Sequence, residues 1–225
     1  MPIQPYFPEP ISVPGNVAGA KHRLRVAFVR RVVGWHCLAM ALVGFLAWLV
    51  PLSLPLAVSS LCFVGGLIAL TIVRRAFDGT SADSALSMAF LIPTLFSLSQ
   101  CLRALHDQGW PILVLVPVTF SIGLYVLLCG NDLSYIGQFC LCSLFTLASV
   151  VVAVAVKFWS QGQGLIAMSL AIAYLFYFVY DLSMLVKRRR IREETAAVAD
   201  LFRDLINFAT YLVRVYLHWK RFPLI

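Results

Sequence analysis

The chain is built of long apolar runs broken by short polar stretches. From Val32 to Val73 there is no Asp, Glu, Lys or Arg. Pro51 and Pro55, with Ser53 between them, divide that run into two helical lengths. Crossing ~30 Å of hydrocarbon takes about 20 residues at a rise of ~1.5 Å each. Segments of that length lie at roughly 30–50, 55–74, 85–104, 111–129, 134–156 and 164–186. A seventh, 197–217, carries Asp200, Arg203, Asp204 and Arg214. The pattern predicts an all-α integral membrane bundle of seven transmembrane helices, six apolar and a polar seventh.

Composition agrees. Hydrophobic residues make up 61% of the 225 and charged residues 12%, with a mean hydropathy of +0.88. Soluble domains average about 45–50% apolar and about 25% charged. These values exclude a water-soluble globule, a disordered chain and a nucleic-acid module. Residues 28–217 form one helical domain. Before it, 1–27 reads as a disordered, Pro-rich and basic cytoplasmic tail, with Pro2, Pro5, Pro8, Pro10 and Pro14 in its head. A short basic tail, 218–225, follows. The first apolar run is too long, and too far behind this polar head, for a cleaved signal peptide.

The net charge of +8 would suit nucleic acid until its residues are located. Lys21, Arg23, Arg25, Arg30 and Arg31 precede or open the first segment, Arg74 and Arg75 end the second, and Lys187, Arg188, Arg189, Arg190 and Arg192 follow the sixth. With the N-terminus inside, those twelve face the cytoplasm and only Arg103 and Lys157 face out. Lys220 and Arg221 leave the side of the C-terminus open. The basic charge thus reports membrane topology: an inner membrane if the source is bacterial, an ER-type membrane if eukaryotic.

Ionisable groups inside a span are costly and are functional candidates by default. Asp181 lies five or six residues before the basic loop, and Asp204 lies several residues after it, on the other arm of a hairpin. Both fall roughly 8–13 Å from its inner mouth. Carboxylates facing each other at one depth raise one another's pKa and share a proton. Arg74 or Arg75, at the inner end of the second segment, would reach the pair as a latch. Protons would weaken such a latch, and a hard divalent cation would compete with the arginine for oxygen. The other reading is that each charge snorkels to the interface and anchors a helix end. Asp200, one turn before Asp204, is a modulator on the same face, and Arg203 points away and snorkels toward the loop.

The remaining polar residues carry no chemistry of their own. Asp132 reads as a helix N-cap. Cys37, Cys62, Cys101, Cys129, Cys140 and Cys142 all lie in apolar stretches with no C-x-x-C pair, and read as small hydrophobes. His36 and His106 lack partners at metal-ligand spacing. There is no Gly-x-Ser-x-Gly elbow and no phosphate-cradling loop, so no enzyme, catalytic residue or resident cofactor is expected.

Four motifs in order resemble the Bax-inhibitor-type (TMBIM) membrane family, including its bacterial members. They are Phe28-Val29-Arg30-Arg31-Val32-Val33-Gly34, Asp132-Leu133-Ser134-Tyr135-Ile136-Gly137-Gln138-Phe139, Tyr180-Asp181-Leu182, and Asp204-Leu205-Ile206-Asn207-Phe208 with Leu212 and Arg214 beyond. The resemblance implies seven helices and a pH-sensitive passive calcium leak. It implies Asp181 and Asp204 as a proton- and Ca2+-sensing pair, with Arg74 bonded to one of them. Three features depart from the family pattern: Gly130 and Asn131 before Asp132, Arg203 before Asp204, and the extra acid Asp200. A local Arg203–Asp204 or Arg203–Asp200 pairing would replace the Arg74 bond and shift the gating pH.

The sequence thus suggests a monomeric leak channel whose partners are the bilayer, Ca2+ and H+. The alternative is a non-conducting regulator that binds other membrane proteins, a protease or a cell-death partner, through its Pro-rich tail and basic 187–192 loop. An intramembrane aspartyl protease would also pair two aspartates, but Phe202-Arg203-Asp204 lacks the required Gly-x-Gly-Asp.

Overall fold

The structure, a computed structural model, describes residues 13–51, 54–77, 80–129 and 135–203. Among them are seven α-helices and no β-strand. They are α1 His22–Leu49, α2 Leu56–Phe77, α3 Ser81–Asp107, α4 Leu115–Cys129, α5 Tyr135–Ala155, α6 Gln161–Arg188 and α7 Glu194–Arg203. Four of these, α1, α2, α3 and α6, are long and apolar enough to cross a membrane, while the apolar stretches Ile112–Leu128 and Phe139–Ala155 are shorter. Asp132, expected as an N-cap, lies outside the described residues, as do Asp204 and the rest of the seventh segment.

The breaks fall where backbone chemistry puts them. α1 stops at Leu49 ahead of Pro51, and α2 starts directly after Pro55, whose fixed φ suits a helix start. α6 opens with a capping box: the Ser160 hydroxyl accepts from the Gln163 amide, and the Gln163 side chain accepts from the Ser160 amide. α3 runs through Pro93 unbroken, and its buried hydroxyls bond back into the helix, Thr94 to the Phe90 carbonyl and Ser97 to that of Pro93.

α3 is central, packed on α1, α2 and α7; α1 also packs on α4, and α5 on α6. Two pairs close through glycine. A Cβ on Gly66 of α2 would run into Thr94, and one on Gly164 of α6 would sit 2.6 Å from Val154 of α5. Phe28, Met40, Leu175, Phe178, Leu182 and Phe202 form the interior, while Trp35, Phe45, Leu61, Ile92, Leu127 and Leu165 point outward. Much of the outer face is therefore as apolar as the inner one. A soluble monomer rarely exposes apolar surface on this scale.

The head of the chain differs from expectation. Residues 13–27, read as part of a disordered tail, are ordered. Val13 and Val17 amides donate to the Lys187 and Arg189 carbonyls at 3.2 and 2.9 Å, and Val17 is fully buried. The carbonyls at the end of α6 have no partner within their own helix. The strap supplies those donors, which is why it is held down. α1 then begins at His22, eight residues before the expected start.

Candidate functional site

α6 ends at Arg188, and Arg189 takes an extended conformation (φ −119°, ψ 151°) as its C-cap. That change of backbone turns Arg189 inward while Lys187 and Arg190 stay exposed. Its side chain is 1% exposed. The guanidinium grips Asp200 of α7 with two bonds, Nε to Oδ2 at 2.7 Å and Nη2 to Oδ1 at 3.0 Å. A third, from Nη1, reaches Asp83 in the first turn of α3 at 3.1 Å. Glu193 stands 3.7 Å from the same nitrogen. This planar fork against a carboxylate is geometry that Arg provides and Lys does not.

Asp200 is the acidic counterpart. Besides Arg189 it takes Arg203 Nη1 at 2.8 Å, one turn on along α7, and Arg74 Nη1 at 3.4 Å from the last turn of α2. Asp83 also accepts from the Ser87 hydroxyl at 3.1 Å. Among the described residues, three guanidinium groups and three carboxylates, on α2, α3, the α6–α7 turn and α7, thus form one network at a single end of the bundle. Burial on its own would lower the Arg189 pKa. The bond and charge of Asp200, with Asp83 and Glu193 behind them, outweigh it and raise the guanidinium above its ordinary value.

The expected site residues distribute as follows. Asp181 is buried on α6 and pairs at 3.5 Å with Arg188, two turns later on the same helix. Helical side chains lean toward the N-terminus, so the long Arg188 reaches back to it. Arg74 does reach a buried aspartate, which among the described residues is Asp200. Arg75 is exposed at the helix end. Arg203, expected to snorkel toward the loop, is buried instead because Asp200 offers it a carboxylate at i−3; this is the local Arg203–Asp200 pairing that the family departure raised. Asp204 lies outside the described residues, so the Asp181–Asp204 pair has no geometry to report.

Arg189 and Asp83 were missed as site residues. Arg189 was one of four consecutive basic residues, and only the extended cap separates it from its neighbours. Asp83 fell just ahead of the expected start of the third segment. A second feature sits beside the cluster. His36 of α1 is fully buried and sandwiched between Phe178 (4.9 Å between ring centres) and Phe202 (4.5 Å), and neither of its nitrogens has a hydrogen-bond partner among the described residues. Among those residues no three His, Cys, Asp or Glu side chains gather as a metal-binding group.

Chemically, the network is a largely buried set of opposite charges joining four elements. Each charge is costly to leave unpaired, so the elements separate only if protons or other cations take the place of the arginines. No family model, curated protein or solved structure matches the chain.

Proposed function

We propose that the chain is a multi-pass integral membrane protein that passes Ca2+ passively and is closed by the charge cluster at its cytoplasmic end. The observation that carries this reading is Asp200, a buried carboxylate held by Arg74, Arg189 and Arg203 from three different elements. The apolar outer face supports the membrane setting, and the excess of Lys and Arg on one side supports a cytoplasmic N-terminus. The resemblance to the Bax-inhibitor type supports the calcium leak.

In this reading the latch is centred on Asp200, with Asp181–Arg188 beside it on α6. Ca2+ is cargo; hard carboxylate oxygens attract it, and each one that turns to the ion releases an arginine. Protons act in the same direction by neutralising the carboxylates. Three guanidinium groups favour the ionised form of Asp200, so opening by its protonation needs a medium more acidic than the usual carboxylate range.

Ca2+ flux into proteoliposomes of the purified protein, from pH 7 downward into the carboxylate range, beside Asp181→Asn, tests this. The expected result is flux that rises as pH falls and a pH response altered by the variant. No flux at any pH, in vesicles that contain the inserted protein, would overturn the leak and favour the non-conducting regulator.

A further inference from the structure

Two glycines of the α1–α4 seam have opposite consequences. At Gly123 the helices touch, since a Cβ there would sit 2.7 Å from the Cys37 sulfur. At Gly34, one turn nearer the N-terminus of α1, a Cβ would meet nothing within 4 Å. The missing side chain leaves an open cleft of about 270 Å3, walled by Val33, Gly34, Cys37, Gly123 and Leu124 with Arg30 at its rim. That volume lies just under the ~300 Å3 at which small-molecule pockets begin, and the wall is almost wholly apolar.

Arg30 makes the cleft more than a packing gap. It is exposed, and its one hydrogen bond among the described residues is a long 3.5 Å contact to the Leu127 carbonyl in the last turn of α4. Its neighbour Arg31 is satisfied by Glu194 at 2.9 Å, whereas Arg30 has no carboxylate partner among the described residues. An apolar slot beneath a guanidinium with no carboxylate among the described residues is complementary to a molecule with a hydrocarbon tail and an anionic head. The basic end of the bundle sets the level of that head at the membrane surface.

We propose that this cleft holds one anionic phospholipid of the surrounding leaflet, an acyl chain against Gly34 and Cys37 and the phosphate on Arg30. The proposal rests on the membrane reading above and on nothing in the charge cluster. The phosphate takes the fork of Arg30, and the acyl chain fills volume that no described side chain occupies.

Native mass spectrometry of the full chain, released from vesicles of equal phosphatidylglycerol and phosphatidylcholine, reads the site. One retained phosphatidylglycerol is expected, with about a fivefold preference, the size of one arginine at an anionic surface. Arg30→Gln is expected to abolish the preference and keep some lipid. Gly34→Leu, whose Cβ meets nothing within 4 Å, is expected to abolish retention of either lipid by filling the cleft. Gly65→Leu on the outer face of α2, where a Cβ also meets nothing, is expected to behave as the parent. Equal retention of both lipids, or retention unchanged by Gly34→Leu, would overturn the site while leaving the membrane reading intact. A chain that never enters the vesicles would overturn both.

Discussion

Two arginines tie helices together at opposite ends of the bundle, and their surroundings could hardly differ more. Arg103 sits near the end of α3, twenty residues or about 30 Å beyond Asp83. It is 32% exposed, pairs with Asp107 one turn on at 3.0 Å, and reaches the Ala47 and Trp48 carbonyls at 3.3 Å. Arg189 is 1% exposed and faces Asp83, Glu193 and Asp200. Water stands in for whatever Arg103 loses, while nothing stands in for Arg189. One end is a tether, and the other, the switch of the proposed function, has parts that are costly to separate. Apolar packing between helices gains little in lipid, where the tails are as apolar as the side chains. Helix–helix affinity at the cluster end therefore rests disproportionately on these charges.

The largest effect is expected from Arg189→Ala. It strands Asp83 and Asp200 without their main cation, so a loss of about 3–5 kcal/mol is expected, read as a much lower thermal unfolding midpoint in detergent. Arg189→Lys keeps the charge without the fork and should fall between the two. Asp200→Asn comes next, at about 1.5–3 kcal/mol, the range for bonds to charged groups. Its destabilisation should shrink as pH falls, because acid removes in the parent the charge that the variant already lacks. The sign follows from the guanidinium groups: they stabilise the carboxylate form, so the parent gains at neutral pH and loses in acid. A difference that grows in acid would break the assignment.

Val17→Ala sharpens the comparison from the strap side. Two methylene equivalents at ~0.8 kcal/mol each suggest a loss of about 1.5 kcal/mol, with faster proteolysis within residues 13–20. The smallest effect belongs to Arg103→Ala, within about 1 kcal/mol. If its midpoint fell as far as that of Arg189→Ala, burial would not be what separates the two ends.

Much of the fold was legible because long apolar runs and prolines speak through backbone chemistry alone. Pro51 and Pro55 mark the α1–α2 break in the sequence as clearly as in the structure. The site was legible in part. Asp200 and Arg203 stood out as charges in an apolar setting, and Arg74 as a helix-end cation of the right reach. Arg189 did not, because four consecutive basic residues look alike until the helix stops and the extended cap sends one side chain in and the next out. The strap was hidden for a related reason: its order depends on the free carbonyls of a helix end more than 170 residues away, and no local pattern announces such a partner.

Ca2+ flux at pH 7 through vesicles of the parent, Asp200→Asn and Asp107→Asn tests the central claim most directly, since it sets a carboxylate of the switch against one of the tether. The account expects Asp200→Asn to leak several-fold faster than the parent, and Asp107→Asn to match the parent. Equal flux in all three, with Asp200→Asn still eluting as a folded species, would contradict the claim that the Arg189–Asp200 cluster closes the protein.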